Sequence, residues 1–246
     1  RLYHCWKKQG HGKMNLETAI KESCDVFFYE LSKKIGIDTI AKMAKNFGFA
    51  QQYKFGFENE KKGIVPSKKW KKEELNQSWY AGETLNAAIG QGYLLATPLQ
   101  LAVMTARIAT NGKKIEPTII KKNIKNSIKN INVENNHIKL IKNALYKVVN
   151  EEKGTAFKSR SDLYNFSGKT GTSQVKKITI EERESDDFRK KLLNWKSRDH
   201  ALFVGYMPTE QPKYAISVVI EHGGSGASVA APITKNIFDY MHKLKI

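Results

Sequence analysis

Two apolar runs near the end of the chain, "ALFVGYM" (201–207) and "KYAISVVIE" (213–221), are separated by only five residues, which begin and end in Pro208 and Pro212. Strand-like runs around so short a break must lie antiparallel, because a parallel neighbour needs a crossover of a dozen residues or more. A third candidate strand, 166–175, precedes them, and a candidate helix, 228–243, follows with Val229, Ile233, Ile237 and Met241 at four-residue spacing. Upstream the periodicity is helical. The run 14–36 starts at a capping residue, Asn15, and changes phase at Ser23-Cys24-Asp25, which predicts two helical pieces joined by a tight turn. Further helices are expected at 37–48, ending on glycine, and at 97–112, where Thr97, Pro98 and Gln100 form a start signal and Gly112 a stop. Residues 135–150 set Ile138, Ile141, Leu145, Val148 and Val149 on one side, whereas 51–80 read as an irregular surface excursion. Helices first, then an antiparallel sheet flanked by helices, is an α+β layout.

The chain is long enough, at 246 residues, to bury a core of its own. No apolar run approaches the roughly 20 residues of a membrane helix, and no signal-peptide pattern opens the sequence. The chain begins at Arg1 rather than Met, so a piece of a longer protein is expected. A net charge of +18 raises the question of nucleic acid. The lysines are spread along nearly every segment with no arginine-rich, aromatic-interleaved stripe, so a nucleic-acid partner is not expected. Attraction to an anionic envelope or membrane surface accounts for the charge more simply.

Two short motifs carry chemistry. In "GKTGTSQV" (168–175), alternation on a strand sets Lys169 and Gly171 on one face and Thr170 and Thr172 on the other. Gly171 frees space for another backbone, so an extended peptide could add along this edge. The ammonium and the threonine hydroxyls would favour a carboxylate at that peptide's end. In "SCD", Ser23 and Asp25 stand at a helix junction, where the hydroxyl could relay a proton and the carboxylate could anchor a cationic or amide partner. Each motif alone has a plainer reading, an aggregation-blocking edge lysine and a Ser/Asp turn.

The larger blocks join them. "WKKQGHGKMNLETAIKESCDVFFYELSKKIGID", "SWYAGETLNAAIGQGYLLATPLQLA", "GTA" (154–156), "GKTGTSQV" and "EHGGSGASVAAPI" occur in this order. Together they closely resemble the class B penicillin-binding proteins, in their penicillin-binding protein 2 branch of elongation-specific peptidoglycan D,D-transpeptidases. The resemblance covers essentially the whole chain. It implies a β-lactamase/transpeptidase-like fold, with residues 1–246 as the C-terminal portion of a transpeptidase domain. It also implies a serine that attacks the penultimate D-alanine of a stem peptide, releases D-alanine and passes the acyl group to a neighbouring amine.

In that scheme Ser23 and Lys169 belong to the proton relay. Thr170 and Thr172 bind the donor's terminal carboxylate, and the Thr172 amide forms half of an oxyanion hole. β-Lactams should acylate the same serine. The family's Ser-x-x-Lys nucleophile precedes the Ser-x-Asp/Asn motif, so its helix is expected upstream of Arg1, and this stretch alone is expected to be inactive. The one Ser-x-x-Lys present, Ser173 to Lys176, follows the Lys-Thr-Gly strand directly and would point its ends to opposite faces. It is read as a decoy. Asp25 stands where most relatives carry Asn, and an ionised carboxylate only accepts hydrogen bonds. Expected partners are peptidoglycan stem peptides, β-lactam antibiotics, a membrane glycan polymerase and elongation scaffold proteins. The expected location is the periplasmic face of the inner membrane, with an anchoring helix upstream. The rival readings are a serine β-lactamase or D,D-carboxypeptidase, and a non-catalytic envelope scaffold.

The resemblance further implies a structural zinc ion near the first motif, held through His11 and Cys24, with Cys5 where the family pattern has Asp and a fourth ligand upstream, which gives Cys-x₅-His-x₁₂-Cys. Two thiolates and an imidazole suit tetrahedral Zn²⁺. Two buried free thiols, or a disulfide between them, are the alternatives. Catalysis itself requires no cofactor.

Overall fold

The structure, a computed structural model, describes residues 3–55, 58–120, 128–175 and 195–245. Its centre is a three-stranded antiparallel sheet in the order β1 (Ser167–Ser173), β2 (His200–Met207), β3 (Tyr214–Ile220). The register pairs Lys169 with Val204 and Thr172 with Ala201, and it pairs Phe203 with Val218 across β2 and β3. Strand β1 therefore has one edge without a strand neighbour among the described residues.

Eight α-helices accompany the sheet among the described residues: α1 (Leu16–Glu22), α2 (Asp25–Ile35), α3 (Ile37–Asn46), α4 (Lys68–Leu75), α5 (Ala81–Ala88), α6 (Pro98–Ala109), α7 (Asn135–Asn150) and α8 (Ala231–Lys243). Their starts follow the local chemistry. The Asn15 side chain accepts from the Thr18 amide at the head of α1, and Thr97 and Gln100 make a reciprocal capping box on α6.

The core forms where apolar faces of sheet and helices meet. Phe166, Phe203 and Phe238 are fully buried, and the Phe166 ring stands edge-on to Phe238 at 5.4 Å and to Phe203 at 6.3 Å. This cluster joins β1 and β2 to α8. Helix α7 packs against both β1 and α1. Ion pairs Lys147–Glu17 at 2.6 Å and Lys21–Glu151 at 3.4 Å tie α1 to α7. That places the junction after α1 beside the middle of β1, although the two are far apart in sequence.

Three features differ from the sequence reading. The segment read as irregular, 51–80, contains α4, and α5 begins directly after it at Ala81. Helix α4 hides from periodicity because the residue it buries is a lysine: Lys71 is 1% exposed. Its ammonium pairs with Glu83 and lies 4.7 to 5.9 Å from the ring centres of Tyr80, Tyr93 and Trp79. The last helix begins later than expected, because Gly226–Ala230 form a turn of π-helix before α8. Finally, Gly226 brings its own backbone against β1, an approach with no counterpart in the sequence reading. A Cβ on Gly226 would lie 2.2 Å from the Gly171 carbonyl oxygen and 2.4 Å from that of Leu202, whereas one on Gly171 would meet only Leu202 Cβ, at 3.3 Å. No helix among the described residues is long and apolar enough to cross a membrane.

Candidate active site

Helix α1 ends at Ser23, whose backbone is left-handed (φ 58°, ψ 54°). The next amide, of Cys24, turns back to the Ala19 carbonyl at 2.9 Å, and α2 starts one residue later. This reversal aims the Ser23 hydroxyl out of both helices. From the sheet, Lys169 reaches it: Nζ donates to Ser23 Oγ at 3.0 Å. The same ammonium crosses the open edge of β1, donating to the Thr170 carbonyl at 3.0 Å and lying 3.4 Å from Thr170 Oγ1. Strict alternation would have kept the side chains of 169 and 170 apart. The unpaired edge lets the long lysine fold across it. Thr170 Oγ1 in turn shares a 2.8 Å hydrogen bond with Thr155 Oγ1, which sequence reading placed only within the "GTA" block.

Burial sets the electrostatics. Desolvation lowers the Lys169 pKa from its usual range to about 8, against the opposing pull of Asp25. Near neutral pH a usable fraction is therefore the free amine, which can accept a proton from a hydroxyl. Desolvation likewise raises the Asp25 carboxyl above its ordinary value. Asp25 feels the charge of Lys169, the group that bonds Ser23, without a hydrogen bond to it. Its Oδ2 accepts from the Trp6 amide at 3.0 Å, and the Trp6 indole N–H donates to the Ser23 carbonyl at 2.8 Å. Trp6 thus holds both ends of the Ser-x-Asp turn, a role with no signal in the sequence.

Thr172 is exposed on the open half of β1, and its hydroxyl lies 3.5 Å from the Gly226 amide. Its carbonyl accepts from the Gln91 side-chain amide at 2.9 Å, and Gln91 Oε1 accepts from the Gln174 amide at 3.3 Å. Gln91 lies in the Gly-Gln-Gly turn, where Gly90 and Gly92 both have positive φ (78° and 74°). Of the decoy pair, Ser173 is in β1 and Lys176 lies outside the described residues.

The sulfur atoms of Cys5 and Cys24 and a ring nitrogen of His11 all lie within 4.8 Å of one another. Cys5 Sγ is 3.4 Å from His11 Nδ1, and the two cysteines are buried and not joined by a disulfide. Burial raises the Cys5 thiol pKa, so an ion entering here would have to draw off that proton. The donor set and its spacing fit zinc. This cluster adjoins the Ser-x-Asp turn directly, since Cys24 lies between Ser23 and Asp25.

Residues 1–239 match the family described as "Penicillin binding protein transpeptidase domain". Among curated relatives, the peptidoglycan D,D-transpeptidase MrdA of Acinetobacter baumannii is 36% identical over 245 residues, covering 96% of this chain and 35% of that protein. The Haemophilus influenzae protein of the same name is 35% identical over 256 residues, covering 98% and 38%. The chain thus spans little more than a third of these relatives' length. Among solved structures, the penicillin-binding protein PBP2 of Helicobacter pylori, in complex with MreC, superposes with a TM-score of 0.85 at 35% identity, covering 98% of this chain and 42% of that one. Pseudomonas aeruginosa PBP2, in complex with WCK 5153, gives 0.82 at 36% identity, covering 97% and 51%. The fold, the Ser23–Lys169 contact and these matches lead to one assignment: the chain belongs to the penicillin-binding protein transpeptidase family.

Proposed function

We propose that this chain is the part of a peptidoglycan D,D-transpeptidase that binds the donor stem peptide and moves protons during its transfer. The observation that carries the reading is the 3.0 Å contact between Lys169 Nζ and Ser23 Oγ, made across 146 positions of sequence. The acylating serine would come from residues outside the chain described here. As it attacks the penultimate D-alanine carbonyl, its hydroxyl proton would pass to the free-amine form of Lys169 by way of Ser23, and the acyl-enzyme forms as the C–N bond to the last D-alanine breaks. Ser23, replenished by Lys169, would deliver the proton that the leaving amine needs. The acceptor amine of a second strand would then take the acyl group and return a proton by the same route. Thr172 would hold the donor's carboxylate through its hydroxyl and polarise the reacting carbonyl through its amide, with Thr170 oriented by Thr155.

Cys5, His11 and Cys24 would hold a zinc ion as a structural tie, fixing the segment before α1 to the Ser-x-Asp turn. Zinc content of the full-length protein, compared with a His11→Ala version, tests this, and equal content in both ends it. The relatives' names, the solved complex of PBP2 with MreC and a similar chain from a peptidoglycan synthase complex that polymerises and crosslinks support an envelope location. We infer a periplasmic domain, anchored from upstream, that works beside a glycan polymerase and elongation scaffold proteins.

The deciding experiment is labelling of the full-length protein with a fluorescent penicillin, followed by analysis of its products on peptidoglycan. The reading expects labelling that falls by a hundredfold or more in Lys169→Met, and crosslinked products rather than hydrolysed stems. Undiminished labelling in both Lys169→Met and Ser23→Ala would end it. Hydrolysis without crosslinks would favour the carboxypeptidase or β-lactamase reading.

A further inference from the structure

We propose that the Gln91 carboxamide occupies, in the resting protein, the strand-edge positions where a peptide ending in D-Ala-D-Ala pairs, and that the peptide binds by displacing it. The inference rests on the reading of β1 as the donor-binding strand and adds a residue that controls access to it.

Facing residues of an antiparallel ladder either exchange both hydrogen bonds or neither. The Thr172 carbonyl is turned to Gln91 rather than to its partner Ala201. The Thr172 amide must then face the open edge too, as does the Gln174 amide two residues on. Gln91 offers this edge one donor, to Thr172 O at 2.9 Å, and one acceptor, to the Gln174 amide at 3.3 Å. Those are the groups a neighbouring strand would present. A paired strand runs about 4.8 Å away, and the Gln91 carboxamide fills that space, so both cannot be present together.

The mounting suits a detachable clip. Gln91 sits between two glycines in a left-handed conformation, and a Cβ on Gly90 would meet nothing within 4 Å. The base of the loop is firm, because the preceding α5 carries Glu83, the partner of buried Lys71. The turn's backbone is tied to α5, Gln91 N–H donating to the Asn86 carbonyl at 2.9 Å, so the side chain can swing away while its anchor stays. The Thr172 amide is left unblocked, so the clip covers the pairing acceptor and spares the group proposed for the oxyanion hole.

The test is a ¹⁵N NMR titration of the protein with an N-acetylated tripeptide ending in D-Ala-D-Ala. Displacement predicts that the Gln91 side-chain NH₂ signals move together with the Thr172 and Gln174 amides. It also predicts that Gln91→Ala, checked for unchanged spectral dispersion, binds the peptide roughly five- to tenfold more tightly, because a competing hydrogen-bonded amide is gone. Movement at Thr172 with Gln91 untouched, or equal or weaker binding by Gln91→Ala, overturns the displacement and leaves the functional reading standing. No movement at Thr172 or Lys169 overturns both.

Discussion

Strand β1 is one seven-residue element with two unlike halves. At its start, Ser167 and Gly168 are fully enclosed. Gly168 pairs with Gly205, and the Phe203 ring lies over both: a Cβ on Gly168 would come 2.3 Å from Phe203 Cζ and 2.5 Å from the Val204 carbonyl oxygen. From Lys169 onward the strand opens, Thr172 is exposed, and a Cβ on Gly171 would meet only Leu202 Cβ at 3.3 Å. The two glycines look alike in the sequence but serve different ends. The first lets an aromatic ring close on the sheet, and the second keeps an edge clear. The closed half fixes the register, and the open half can then hold Lys169 and Thr172 in place without being covered itself.

The largest effect should come from breaking the closed half. Gly168→Val forces backbone or Phe203 to move and is expected to cost about 3 kcal/mol or more of unfolding free energy. A denaturant melt that matches the parent would show that the ring is not wedged there. Lys169→Met should behave in the opposite way. It replaces a desolvated ammonium by an apolar chain of similar length, so stability should hold or rise while penicillin labelling collapses. A loss of more than about 2 kcal/mol would mean the open half is also structural.

The pH dependence sharpens the same point. The folded-state pKa of Lys169 lies near 8, below its value in the unfolded chain. Between about pH 8 and the ordinary lysine range near 10.5 the unfolded state therefore holds more protons than the folded one. Lys169 should make the protein more stable as pH rises through that window, and Lys169→Met should flatten the rise. A direct titration of the lysine Cε resonance with a midpoint near 10.5 would contradict the desolvation. The smallest effect is expected at Gly171→Ala, a few tenths of a kcal/mol at most, with weakened peptide binding as its main consequence. A large loss of stability there would erase the contrast between the two glycines.

Much of this was legible in the chain. Capping residues announced α1 and α6, apolar spacing announced α7, and the proline-bounded break announced the β2–β3 hairpin. The phase change at Ser23 marked the helix junction because two amphipathic stripes cannot continue through a left-handed residue. What stayed hidden were contacts that follow no period. Helix α4 presents a lysine to the interior, so its pattern looks solvated. Trp6 is 55% exposed, yet it clamps the Ser-x-Asp turn through two nitrogen atoms. Gln91 could be flagged as the middle of a glycine turn, but its partner strand lies 81 residues away. Asp25 was expected to anchor a cationic or amide partner, but nothing in the sequence said that the amide would be that of Trp6, 19 positions upstream.

The handedness of residue 23 has a consequence for anyone who reshapes this protein. Glycine or asparagine would sit at that backbone angle with less strain than serine does. A library sorted for thermal resistance alone should drift toward those residues and discard the hydroxyl on the way. Hardiness and competence would be selected apart at a single codon.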